Sequence, residues 1–134
     1  MVLIRNERGI KMKTEQEQQE ILSELENNNG TQQYHKIPFS NVVYTDGIND
    51  LIERCKCWWL FSDLGIEISN KTELQKPFLV VSLKVNEDNT AELILKEDTD
   101  LKPIYTKKYN FTDFPLSNYE FYYIDKVFLL KSEY

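Results

Sequence analysis

The chain has 134 residues and a net charge of −6, from 16 basic and 22 acidic residues. A chain of this length folds as one domain that buries roughly two-thirds of its unfolded surface, and a content of 41% hydrophobic residues excludes a disordered protein. The acidic balance disfavours phosphate backbones and anionic membranes as general partners and favours a basic partner surface.

Residues 1–13 are expected to form a flexible basic leader. They carry four basic residues and one acidic residue, a charge of +3, and show no apolar periodicity. They lack the apolar core of a secretory signal, and the longest apolar stretches elsewhere, Trp58–Phe61 and Phe78–Val81, are too short to cross a bilayer. We therefore expect no membrane partner and a cytoplasmic location.

The first predicted helix covers residues 14–26 and is acidic. Thr14 and Glu17 match a capping box, in which a hydroxyl and a carboxylate take up backbone amides of the first turn. The helix carries five glutamates and no basic residue. Its apolar residues form one narrow stripe of Ile21, Leu22 and Leu25. Because this stripe buries little area, the helix is expected to be peripheral.

The second predicted helix is the main helix of the core. It follows a connector that ends in a short strand at Val42–Tyr44, and either Thr45 or Asp46 caps it. Apolar residues then recur at three- and four-residue steps to about Ser62, as they do on the buried side of a helix. Gly65 predicts a break after this helix.

From residue 78 onward apolar and polar residues alternate, which is the period of a β-strand. The predicted strands are Phe78–Val85, Ala91–Leu95, Ile104–Phe111, Tyr119–Ile124 and Val127–Leu130. The sequence therefore predicts a single α+β domain over residues 14–134. Its two helices are expected to pack on one face of a four- to five-stranded antiparallel sheet.

No group of residues points to catalysis, a cofactor or a metal. His35 is the only histidine and stands in no motif. The four glycines are too dispersed for a phosphate-binding loop, and Cys55 and Cys57 are too few ligands for zinc. The run Glu97–Asp100 is similar to a calcium loop but lacks its central glycine and later glutamate. We expect a protein that is not an enzyme and carries no cofactor.

Aromatic residues cluster on the last predicted strands, with Lys107, Lys108 and Lys126 close by. The rings are Tyr105, Tyr109, Phe111, Tyr119, Phe121, Tyr122 and Tyr123. Exposed rings on strands can stack nucleobases, but aromatic pairs also stabilise any sheet, and the signatures of base-stacking sheets are absent. Packing is the expected role of most of these rings. A single-stranded RNA-binding accessory domain that uses the Tyr-rich strands is the alternative function.

Four short words of the sequence, taken in order, resemble those of a small uncharacterised domain family of bacterial and phage genomes. The words are Tyr44–Gly47, Trp59–Asp63, Thr112–Leu116 and Leu129–Tyr134. The resemblance covers about residues 40–134 and does not include the acidic first helix. Members more often have proline where this chain has Lys131. None of the words is a catalytic signature, so the resemblance implies association with a mobile element and no reaction.

Within that family the chain resembles small anti-CRISPR proteins that inhibit RNA-guided type VI nucleases. The resemblance implies an inhibitor in the bacterial cytoplasm that binds the basic RNA-binding surface of the nuclease, with indirect contact to guide RNA. Acidic residues would attract such a surface, and aromatic rings would anchor it. The candidate interface residues are Glu15, Glu20, Glu24, Trp58, Glu87, Asp88, Glu97, Asp98, Asp100, Tyr105 and Tyr122.

Overall fold

The computed structural model describes residues 14–134. The expected basic leader, residues 1–13, lies outside the described residues. The helices are α1 (Glu15–Leu25), α2 (Asp46–Cys55) and α3 (Trp58–Asn70), and Thr72–Leu74 and Lys131–Glu133 are short 3-10 turns. The strands are β1 (Tyr34–Lys36), β2 (Val43–Thr45), β3 (Phe78–Val85), β4 (Ala91–Lys96), β5 (Tyr105–Tyr109), β6 (Asn118–Ile124) and β7 (Val127–Leu129).

Helix α1 begins at the predicted capping box. The Glu17 amide donates to the Thr14 hydroxyl at 3.1 Å, and the Thr14 amide donates to the Glu17 carboxylate at 3.2 Å. Leu25 is the one fully buried residue of α1. The Ser117 amide donates to the Gln18 side chain at 3.0 Å, which holds the helix beside the start of β6. Gln18 and Leu25 therefore attach the two ends of the helix to the rest of the fold.

The expected single core helix is in fact two helices, α2 and α3. Lys56 ends α2 in the left-handed conformation, with φ of 54°, and α3 begins two residues later. Both Cys55 and Cys57 are buried. In a continuous helix these two side chains would point about 200° apart, so the left-handed residue lets both enter the core.

Gly65 does not end a helix but lies in the middle of α3. The side chain of Ile37 comes within 2.8 Å of the position that a Cβ would occupy there. The glycine is therefore explained by close packing of α3 against the segment before β2, and not by a turn.

Within residues 14–134 the sheet is larger than expected, with seven strands in the order β1-β2-β7-β6-β3-β4-β5. Both predicted hairpins are present, because β3 pairs with β4 and β6 with β7 in antiparallel register. Strand β1 was not expected, since three residues within a polar connector carry no alternating pattern. Strand β2 pairs in parallel with β7, which makes the sheet mixed. The α+β class is confirmed. The expected two helices and antiparallel sheet of four or five strands are corrected, for the part of the chain that the structure describes, to three helices and this mixed sheet.

The two faces of the sheet have different surroundings. On one face, Leu79, Val81 and Leu83 of β3 are fully buried, and the ring of Phe61 in α3 lies 5.1 Å from that of Phe121 in β6. We call this the helix-covered face. The side chains that alternate with these residues on β3–β7, starting with Phe78 on β3, point to the opposite side, which we call the open face.

Candidate interaction surfaces

The acidic residues predicted on α1 are at the surface. Glu15 and Glu20 are exposed. Glu24 forms an ion pair with Arg54, whose Nε also donates to Asp50 at 2.8 Å. Glu24 therefore joins α1 to α2, while Glu15 and Glu20 present negative charge outward.

The acidic residues predicted in the turns form two separate groups. Glu87 and Asp88 lie between β3 and β4, where Asp88 accepts hydrogen bonds from the Thr90 amide at 3.0 Å and hydroxyl at 2.6 Å. Glu97, Asp98 and Asp100 lie between β4 and β5 and are exposed. Since β4 separates the two turns by six residues, they stand about 20 Å apart at opposite ends of the hairpin. Helix α1 and these turns do not form one continuous acidic patch.

The three predicted aromatic anchors also lie apart. Trp58 begins α3 and is 40% exposed, and its ring lies 6.0 Å from that of Tyr44. Tyr105 points to the helix-covered face, where its hydroxyl donates to Glu67 at 2.6 Å. Tyr122 is on the open face, opposite Val80 of β3. Tyr105 and Tyr122 therefore belong to different surfaces.

Most rings of the Tyr-rich strands point to the helix-covered face. They are Tyr105, Tyr109, Tyr119, Phe121 and Tyr123. Burial, followed by its hydrogen bond to Asp63, raises the pKa of Tyr109, and burial also raises the pKa of Tyr119. Phe121 and Tyr123 are buried in the core, and Tyr105, Tyr109 and Tyr119 are partly buried against it.

The word Trp59–Asp63 connects α3 to the edge strand β5. The Lys107 ammonium donates to both carboxylate oxygens of Asp63, at 2.8 and 3.0 Å, and the Tyr109 hydroxyl donates to the same carboxylate. The Trp59 ring meets the Tyr109 ring edge-on at 5.2 Å. These contacts hold β5 against the helix.

The first and last words meet at the start of α2. The Glu133 carboxylate accepts hydrogen bonds from the Thr45 hydroxyl at 2.6 Å, the Gly47 amide at 3.1 Å and the Leu130 amide at 2.9 Å. A Cβ at position 47 would overlap this carboxylate, which explains the glycine. Thr45 is also the N-cap of α2, since its hydroxyl accepts from the Ile48 amide at 3.2 Å. No local pattern in the sequence predicts this role of Glu133.

His35 lies on β1 and interacts with Asp46. Its Nε2 is 2.9 Å from the Asp46 carboxylate, and its ring stacks on Tyr44 at 5.1 Å. The hydrogen bond from His35, followed by that from the Gln32 amide, lowers the pKa of Asp46. The pair ties β1 to the start of α2.

The word Thr112–Leu116 fastens the β5–β6 connection to the β3–β4 turn. The Thr112 amide donates to the Asn89 carbonyl at 2.8 Å, and the Asn89 side chain donates back to the Thr112 carbonyl at 3.0 Å. The Phe114 amide donates to the Thr112 hydroxyl at 3.1 Å. All four words therefore hold elements of the fold together.

The two cysteines are buried, and burial raises the pKa of Cys55 to about 12. Within residues 14–134, no three His, Cys, Asp or Glu side chains lie together as the ligands of a metal ion would. None of the helices described here is long and apolar enough to span a membrane.

The open face carries a cluster of three rings. The Tyr122 ring lies 5.2 Å from that of Phe78 and 5.4 Å from that of Tyr134, which is 79% exposed. The Lys131 ammonium lies 5.7 Å from the centre of the Tyr122 ring and forms an ion pair with Glu120. Burial would raise the pKa of Glu120, but its hydrogen bonds from Lys131 and Ser82 outweigh burial and lower it. Tyr122 was predicted from the sequence as an interface residue, whereas Phe78 and Tyr134 were not.

A model described as "Family of unknown function (DUF6876)" matches residues 19–134 of the chain. The matched region starts within α1 and is longer than the resemblance over residues 40–134. No curated protein and no solved structure matches the chain.

Proposed function

The chain belongs to this family of unknown function, and we propose that it acts by contact with a macromolecule and not by catalysis. In this proposal it is a phage or mobile-element protein that binds a type VI CRISPR nuclease and interferes with guide or target RNA. The observation that supports it is the charge of the helical part of the molecule. Residues 14–76, which contain all three helices, hold 11 acidic and five basic residues.

An acidic surface of this kind fits a nuclease that binds RNA. Such an enzyme presents basic grooves, and charge complementarity between two proteins accelerates their encounter and orients them. Glu15 and Glu20 are exposed on α1, while Glu24 is engaged with Arg54. Glu15 and Glu20 are therefore the acidic residues of α1 that would contribute most to steering.

The test is inhibition of RNA cleavage by several purified type VI effectors, together with co-purification. Glu15→Lys and Glu20→Lys should each weaken inhibition severalfold at low salt, because each reverses a charge on the docking side. Asp113→Lys reverses an exposed charge in the β5–β6 connection, outside both residues 14–76 and the candidate interface, and is the matched control. Failure to bind or inhibit any effector would rule out this function.

A second candidate function is single-stranded RNA binding, as an accessory domain. The rings of β5 and most rings of β6 are unsuited to it because they face the helices. The specific observation that favours it is the ring cluster of Phe78, Tyr122 and Tyr134 on the open face.

A further inference from the structure

The open face differs in charge from the rest of the molecule. Residues 14–134 hold 12 basic and 21 acidic residues, a charge of −9. By strand alternation, and by the contact of Lys131 with Tyr122, the open face of β3–β7 carries four lysines and two glutamates, a charge of +2. They are Lys84, Lys96, Lys108, Lys131, Glu92 and Glu120. A basic surface on an acidic protein selects an anionic partner.

The three rings occupy one end of this face. Phe78, Tyr122 and Tyr134 contact one another, with centroids 5.2 to 6.5 Å apart and planes tilted by 51° to 76°. Tyr134 is mostly exposed. A flat planar group can therefore stack on the Tyr134 ring without displacing another side chain, and Lys131 is close enough to contact a negative charge on that group.

The lysines extend the face away from the rings. Lys96 pairs across the sheet with Val80, which in turn pairs with Tyr122, so the three side chains form one row. Lys84 and Lys108 occupy a later row, on either side of Glu92. Lys84 lies six positions after Phe78 on β3, a distance of about 20 Å. The face is therefore aromatic at one end and basic along its length, over the span of a few nucleotides.

We propose that the open face binds single-stranded nucleic acid, with bases stacked on the ring cluster and phosphates held by the lysines. Every base has a flat face that can stack on an aromatic ring, and lysines on such a track bind the backbone. A duplex would not fit in this way, because its bases are already stacked on each other. The inference rests on the second candidate function and deepens it, because it names the surface and the class of ligand. It is independent of the nuclease, because the open face lies opposite the helices.

The test is a fluorescence anisotropy titration of the whole chain with a labelled 12-nucleotide oligo-U RNA at low salt. Tyr134→Ala should weaken binding about fivefold, the low end of base stacking on an exposed ring. Lys108→Glu should weaken binding and reduce the slope of affinity against salt, because one phosphate contact is lost. Tyr122→Phe keeps its ring and should bind like the unmodified protein.

Two matched controls show whether a loss of RNA binding is specific to substitutions on the open face. Phe39→Ala removes a ring that is 97% exposed in the β1–β2 turn, and Lys102→Glu reverses an exposed charge in the β4–β5 connection. Both should bind normally, and circular dichroism should show that every variant is folded. Residues 1–13 are the same in all proteins compared, so binding by them would not distinguish the variants.

Four results would overturn the inference. They are absence of saturable binding at low salt, equal losses in the control and face variants, equal affinity for duplex RNA of the same length, and equal competition by polyglutamate. Because the titration contains no nuclease, its failure is distinct from failure of the inhibition assay. A protein that binds RNA but inhibits no effector would support this inference and contradict the proposed function.

Discussion

Glu133 joins three parts of the chain at one carboxylate. Its partners are the N-cap hydroxyl of Thr45, the Gly47 amide in the first turn of α2 and the Leu130 amide next to β7. An anionic group at a helix N-terminus is also stabilised by the helix dipole. This single residue therefore joins two segments that are distant in the sequence, Tyr44–Gly47 and Leu129–Tyr134.

Replacement of Glu133 should measurably destabilise the fold. We expect Glu133→Ala to lower the free energy of unfolding by about 2 kcal/mol, because partly buried donors lose their acceptor and α2 loses part of its cap. Urea denaturation followed by circular dichroism measures this change. Glu97→Ala, an exposed residue in a turn, is the control and should stay within about 0.5 kcal/mol. Similar losses in both variants would contradict the role assigned to Glu133.

At the scale of elements, the division of the core helix follows from burial and not from local preference. The residues from Ile48 to Trp59 have helical periodicity without a gap, and no glycine or proline marks a break between them. The chain breaks at Lys56 because Cys55 and Cys57 both enter the core. Lysine rarely adopts positive φ, so this position is strained.

Relief of this strain gives a second prediction. Lys56→Gly should raise the free energy of unfolding by about 1 kcal/mol, because glycine adopts the left-handed conformation without a Cβ clash. Lys56→Ala removes the same long side chain but keeps Cβ, and it should give no such gain. Thermal and urea denaturation of the two variants measure the difference. Equal stability of Gly and Ala at this position would show that α2 and α3 are not separated by a left-handed residue.

At the scale of the whole molecule, helices and sheet share one buried cluster that includes both cysteines. Burial raises the pKa of Cys55 to about 12, and burial likewise raises the pKa of Cys57. A thiol reacts as its thiolate, so both cysteines should be inert in the folded protein. Their reactivity is thus a measure of whether the core is closed.

Thiol labelling at about pH 8, below the raised pKa of Cys55, tests this packing. Native protein should react with a disulfide reagent only as fast as it unfolds, and both thiols should react at once in denaturant. Glu97→Cys places a thiol in an exposed turn and is the positive control, because it should react immediately in the folded state. Rapid labelling of the unmodified native chain would mean that α2 and α3 do not close over the sheet.

The sequence by itself determined the local features of this protein. Periodicity and turn residues identified the capped start of α1, the two hairpins and the α+β class, because each depends on neighbouring residues. Alternation also divides the strand residues into two sets. It does not say which set the helices cover, and so it left open whether Tyr105 or Tyr122 is available to a partner.

Only the tertiary structure decided which distant residues meet. Glu133 accepts a hydrogen bond from Thr45, which is 88 positions earlier in the chain. Strand β2 pairs in parallel with β7, although the two strands are far apart in the sequence. No local pattern in the sequence predicts such contacts, because they depend on the packing of the whole chain. For the same reason the predicted acidic residues separate into distinct patches, whereas Phe78, Tyr122 and Tyr134 come together on the open face.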